Sequence, residues 1–170
     1  MPKMGLDGII WHMNSKMERT VVLVKPDGLQ RGLVGEIITR FERKGLKLVG
    51  IKMVNMTHEI LDQWYVQLKD KAFFPNIKSY ITWTPIVAMV WEGLECIAAV
   101  RKITGVTKAR EAEAGSIRGD LGMSQQHNLI HASDSEESAK KEIGLIFGKE
   151  ELFDYESGME CLIYPEEERK

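Results

Sequence analysis

Cysteine is scarce in this chain of 170 residues, which has only Cys96 and Cys161. The two are too far apart to suggest a disulfide framework, and neither sits in a CxxC pair that would begin a zinc or dithiol motif. Long apolar runs are missing as well: nothing approaches the roughly 20 residues needed to span a bilayer, so no membrane association is expected. The opening stretch MPKMGLDGIIWHMNSKME is interrupted by Asp7, Gly8, His12 and Asn14 and forms no secretory apolar region, from which a cytoplasmic location is expected. Charge of one sign is also lacking. A net charge of -2 and a pI near 6.1 give no basic footprint of the kind a general nucleic-acid binder carries. Neither GxxxxGK[ST] nor GxGxxG occurs, so any handling of phosphate must use another construction. A regular calcium loop and an HExxH pattern are absent too, and no dedicated protein-held metal site is expected.

What remains is an ordinary globular composition, 44% hydrophobic and 28% charged. The length suits one compact domain with a substantial core. An N-terminal extension over residues 1–18, a domain over 19–164 and an acidic tail over 165–170 are expected. Within the extension, Ile9, Ile10 and Trp11 are candidates to dock on the body or on a neighbouring subunit.

Along the domain, Val21 to Val24 read as a strand, and KPDG after it as a turn, with Pro26 at its first central position and Gly28 relieving backbone strain. Val34, Ile37, Ile38 and Phe41 keep helical spacing, with Gly45 as terminator. LKLVGIKMVNM returns to strand composition, with Leu46, Leu48, Gly50 and Lys52 expected on one face. Thr57 is placed to cap a helix running to about Lys69, and a shorter helix is expected over 77–82. IVAMVW after Pro85 is a strand, and 94–105 a helix. Residues 106–126, rich in charge and alanine, suggest a long surface loop with a short helical turn. HNLIHAS is a short strand, and Asp134 or Ser135 caps EESAKKEIGLIF. Four strands with alternating helices fit an α+β fold: the split βαβ plan repeated twice, a mixed or antiparallel sheet covered by helices on one face.

Several side chains carry possible chemistry. Lys25 shares strand parity with Val21 and Leu23, so its stem can follow the core while its ammonium emerges beside the PDG turn; a solvated turn lysine is the plainer reading. Arg101 and Arg118 suit phosphate through paired, directional hydrogen bonds, although most such arginines are surface groups. In HNLIHASDS two of the four histidines stand close together. His131 shares parity with Leu129, and Ser133 and Glu142 stand where they can reach back to an imidazole nitrogen. A neutral imidazole that accepts a phosphoryl group divides one transfer into two easier steps. Lys25, Arg101, Arg118 and the amide of Asn128 are suited to the transferring oxygens.

The segments ERTVVLVKPDGLQRGLVGEII, YVQLKDKAFF, PIVAMVWEG, SIRGD and NLIHASDS, followed by ESAKKEIGLIF, closely resemble nucleoside diphosphate kinases from about Glu18 to Tyr164. The resemblance implies a ferredoxin-like sandwich with a four-stranded antiparallel sheet covered by helices. It implies His131 as the nucleophile that becomes a phosphohistidine through Nδ1, with Glu142 and Ser133 orienting it. Lys25, Tyr65, Arg101, Thr107, Arg118 and Asn128 match positions that bind phosphate or sugar or stabilise transfer; Phe73 matches the aromatic that stacks on the base, and Ile77 its apolar neighbour. The implied reaction is ping-pong: ATP or another nucleoside triphosphate phosphorylates His131, and a nucleoside diphosphate then takes the phosphate. Mg2+ would be held mainly by the nucleotide phosphates, and a homo-oligomer, a hexamer built from dimers, is expected. His127 is left with a surface or hinge role.

Three positions depart from the family pattern. Ala132 stands where glycine is usual, so a methyl group is expected to crowd or perturb His131, and Ala109 and Ala114 replace prolines, loosening the loop before SIRGD. A catalytically weak oligomeric binding protein and a protein-histidine phosphorelay are therefore the rival readings.

Overall fold

The chain is described from a computed structural model covering residues 17–168, so the expected docking of Ile9, Ile10 and Trp11 lies outside the described residues. Strand β1 (Met17–Val24) pairs antiparallel with β3 (Ile86–Leu94) on one side and with β4 (Ile130–Ala132) on the other; β2 (Lys47–Val54) adds outside β3. The sheet order is β2-β3-β1-β4, antiparallel throughout. Helices α1 (Pro26–Gln30), α2 (Val34–Lys44), α3 (His58–Trp64), α4 (Phe74–Ile81), α5 (Cys96–Thr104), α6 (Ile117–Leu121) and α7 (Glu136–Ile146) fill the connections.

Helices cover both faces of the sheet, where one covered face was expected. Val22 and Val24 pack with Met89, Trp91, Ile37, Phe41 and Val100 on one side. Val21 and Leu23 pack with Ala88, Val90, Leu61, Trp64 and Ile81 on the other. The reason was in the composition: VVLV and IVAMVW are apolar at both parities, the mark of strands buried on both faces.

Other differences are local. KPDG is the first turn of α1 rather than a reverse turn, with Pro26 at its start, where a missing N–H costs nothing. The helix capped by Thr57 stops at Trp64, because Tyr65 leaves helical angles (φ -108°, ψ 43°) and a 3₁₀ turn over Val66–Leu68 follows. Strict alternation fails in β2. A bulge between Leu48 and Gly50 reverses the parity, so Leu48 packs on the α2 side while Val49 and Val54 pack on the α3 side. The 106–126 segment does hold short helical pieces, Ala109–Glu111 and α6. Ser135, rather than Asp134, caps α7 by accepting from the Ser138 amide at 3.1 Å.

Candidate active site

β4 is a three-residue edge strand, and its register sets the site. His131 lies opposite Leu23 and Ala132 opposite Val22. Alternation therefore turns the His131 ring toward the α3 and α7 side and the Ala132 methyl to the opposite face, where it is 2% exposed in the core. The methyl does not crowd the ring, contrary to expectation. His131 meets the edge of Trp64 with ring centroids 5.3 Å apart.

Glu142, carried on α7, places Oε2 3.0 Å from His131 Nε2. Ser133 donates its hydroxyl to the same oxygen at 2.7 Å and accepts from the Val21 amide at 3.3 Å. The serine thus locks the carboxylate to the central strand. With an ionised Glu142, Nε2 carries the ring proton and the lone pair is on Nδ1.

Around this floor lies a cleft of about 620 Å³, lined by His131, Glu142, Lys25, Tyr65, Phe73, Ile77, Arg101, Thr107, Arg118 and Asn128. Every expected site residue is on that wall except Ser133, which is buried behind it. Burial, then the charge of Arg118, bring the Lys25 ammonium down to about 8, and Asp27 opposes them. Burial, followed by Glu142, pushes the Tyr65 hydroxyl up to about 12, so it remains a donor at neutral pH. Arg118 is brought down to about 10, first by burial and then by Arg101, and stays charged.

Two residues are more committed than expected. Asn128 donates both amide hydrogens to backbone carbonyls, of Thr107 and Gln125, each at 2.8 Å, and accepts from Lys25 Nζ at 2.7 Å. Its amide has no hydrogen left for a phosphate and instead aims the lysine. Arg118 donates to the carbonyls of Asn128, Gly105 and Ile130 at 3.3, 2.8 and 2.6 Å, so it braces the loop as well as charging the cleft. Arg101 reaches the Ala132 carbonyl at 3.4 Å.

Sequence reasoning missed several lining residues, among them Trp64, Tyr80, Gln125, Gln126 and Lys141. Trp64 falls within the expected helix capped by Thr57 and Tyr80 within the one expected over 77–82, and nothing in their spacing marked either for the cleft. His127 is exposed and stacks on Tyr80 with centroids 4.4 Å apart, at the rim and not on the cleft wall. Among the described residues no three His, Cys, Asp or Glu side chains gather to hold a metal ion.

The nucleoside diphosphate kinase family model matches residues 18–152. The chain belongs to the nucleoside diphosphate kinase family. It is 51% identical over 148 residues to the nucleoside diphosphate kinase of Carboxydothermus hydrogenoformans, covering 87% of this chain and 99% of that one. With nucleoside diphosphate kinase B of Rattus norvegicus it shares 49% over 150 residues, 88% of this chain and 99% of the other. The halophilic family member from Halobacterium salinarum, solved in complex with CDP, superposes with a TM-score of 0.84 at 46% identity, covering 86% and 98% of the two chains. A transition state mimic of the Borrelia burgdorferi kinase with vanadate and ADP gives a TM-score of 0.80 at 34% identity over 86% and 96%. The ferredoxin-like α+β sandwich is thus the family fold.

Proposed function

We propose that this nucleoside diphosphate kinase family member transfers the terminal phosphate of ATP or another nucleoside triphosphate to nucleoside diphosphates in two half-reactions through His131. The observation that carries the reading is the Ser133–Glu142–His131 chain of hydrogen bonds at the floor of a cleft lined by the cations Lys25, Arg101, Arg118 and Lys141.

In the first half-reaction His131 Nδ1 attacks the γ-phosphorus. An N–P bond forms, the bridging P–O bond breaks, and its electron pair leaves with ADP. The ring gains positive charge while keeping its proton on Nε2, and Glu142 stabilises that charge where it develops. Lys25, Arg101 and Arg118 offset charge on the phosphate oxygens, and the protonated Tyr65 hydroxyl adds a neutral donor. In the second half-reaction a terminal oxygen of a nucleoside diphosphate attacks the same phosphorus, and the N–P electrons return to the ring.

Phe73, 51% exposed, stands beside Ile77 at the mouth, which suits stacking on a base. Stacking reads little base identity, so several bases should be accepted. Thr107, on the loop beside Asn128, is assigned to phosphate or sugar. Asp27 accepts with both oxygens and Glu142 is held by His131 and Ser133, which leaves Asp134 as the exposed carboxylate on the cleft wall. Mg2+ would be held mainly by the nucleotide phosphates, as in the family, and would supply neutralisation of their charge.

The domain over 19–164, a hexameric assembly and a cytoplasmic location complete the proposal. Ile51 and Met53, exposed along the outer strand β2, support pairing between copies, and no helix among the described residues is long and apolar enough to cross a membrane. Light scattering tests the assembly.

The deciding experiment incubates the protein with γ-labelled ATP, seeks an acid-labile, base-stable phosphoenzyme, and follows label into GTP or dCTP after adding GDP or dCDP. His131→Asn is the control and should take no label. An unlabelled wild type would overturn the reading, and label that never leaves the protein for a nucleotide would favour a relay.

A further inference from the structure

KPDG does more than begin α1. The Lys25 amide donates to the Leu129 carbonyl at 2.8 Å, and Asp27 Oδ2 accepts from the Leu129 amide at 3.0 Å. One residue on, Gly28 leaves a gap that a Cβ would close to 2.9 Å from the Leu129 oxygen. A single residue, Leu129, is thus gripped at both its N–H and its C=O, the two groups that flank its strained φ, with no side chain at Gly28 in the way.

That grip matters because Leu129 has φ 72°, in the left-handed region that a leucine rarely enters. The Ile130 amide donates to the Asn128 carbonyl at 2.8 Å, closing a three-residue turn of the strained, positive-φ hand. Such a conformation persists only where its surroundings over-determine it. On one side of the turn stands Asn128, which holds Lys25 Nζ; two residues beyond Leu129 stands His131. The other Asp27 oxygen accepts from the Tyr80 hydroxyl of α4, the helix that also carries Ile77 of the cleft mouth.

We propose that Asp27 is a positioning residue for phosphoryl transfer: by gripping the Leu129 amide and the Tyr80 hydroxyl, it holds the strained turn that sets His131 and Lys25 against the transferring phosphate. The inference rests on the phosphohistidine reading above. Asp27 is 9% exposed with both oxygens occupied, so it acts through its neighbours.

The test compares Asp27→Ala, Asp27→Asn and Tyr80→Phe in the full chain. An asparagine can still accept from the Leu129 amide and donate to the Tyr80 oxygen, whereas alanine loses both bonds and Tyr80→Phe loses one. Three quantities are read: the single-turnover rate of His131 labelling at saturating γ-labelled ATP, the Kd for ADP, and the melting temperature. Asp27→Ala should slow labelling on the order of 10- to 100-fold, the scale of a misplaced reacting group. Its ADP affinity, and the labelling rate of Asp27→Asn, should stay within about threefold of wild type, the scale of one neutral hydrogen bond. Tyr80→Phe should fall between the two Asp27 variants.

Wild-type labelling by a folded Asp27→Ala overturns the proposal. So does an Asp27→Asn as slow as alanine, which would put the effect in charge rather than grip, or a loss of ADP affinity in proportion to rate, which would mean collapse of the site. Should alanine fail to fold, Tyr80→Phe decides: labelling at the wild-type rate overturns the proposal, and labelling slower than Asp27→Asn supports it. No label on wild type would instead defeat the phosphohistidine reading itself.

Discussion

The floor and the mouth of the cleft are built on opposite terms. At the floor, Ser133, Glu142, Asn128 and Lys25 are linked through hydrogen bonds of 2.7 to 3.3 Å to one another and to the backbone. The mouth presents Phe73 half in solvent, with Gln125 and Gln126 exposed beside it. A saturated floor fixes the direction of attack, because each group has one arrangement that keeps its partners. An open aromatic mouth binds through area and tolerates different rings. Precision in the chemistry and latitude in the substrate thus occupy separate layers of one cleft.

Breaking the floor should cost most. Glu142→Gln keeps the shape but removes the charge opposite the developing imidazolium; single-turnover labelling of His131 should fall on the order of 100-fold, with ADP affinity little changed. A Glu142→Gln variant labelled at the wild-type rate would remove the carboxylate from the mechanism.

The next effect is a pH trend of two signs. Lys25 is brought down to about 8 from its ordinary 10.5, so kcat/KM should decline as pH rises through about 8 and the ammonium loses its proton. Stability should move the other way. Between about 8 and 10.5 the unfolded chain binds more protons at this group than the native one, so this group's contribution to stability rises with pH there. Lys25→Met should abolish both trends, which a pH series of rates and melts will show.

At the mouth, Phe73→Ala should raise KM for every base alike by about fivefold, one exposed stack at the low end of the 1–3 kcal/mol scale, while kcat holds. Unequal changes among ADP, GDP and CDP would mean that the mouth reads base identity. Ala132→Gly should do least to activity, because the methyl lies across the sheet from His131. A melt should show a loss of roughly 0.5–1 kcal/mol from the added backbone freedom, and a large change in labelling rate would contradict that placement.

Much of this was legible in the chain. Apolar periodicity located the four strands and the main helices, and the parity of Lys25 with Val21 and Leu23 matched the side where the structure gathers the cleft. The parity of His131 with Leu129 did not hold: Leu129, at positive φ, packs with Val22 and Val24, while the histidine ring turns to the α3 side. The spacing from the Ser135 cap to Glu142, two helical turns, brought the carboxylate back over the histidine. Other features were hidden for identifiable reasons. The β2 bulge depends on the register of a partner strand, so a regular alternation was the best local reading. Asn128 looked like a phosphate donor because nothing nearby in sequence announced the Thr107 carbonyl that would take its hydrogen. KPDG has turn composition, and a proline-led helical turn uses the same residues.

The sequence by itself determined the elements and the chemical kinds: which segments alternate, where helices start, and that a histidine, a carboxylate and three cations were on hand. These follow from interactions between residues two to four apart, which composition and spacing encode directly. Tertiary structure alone decided which atoms remain free to act. Lys25 and Asn128 meet across 103 residues, and Asp27 and Leu129 across 102. Contacts at that range depend on how both faces of the sheet close over their helices, and no local pattern records that closure.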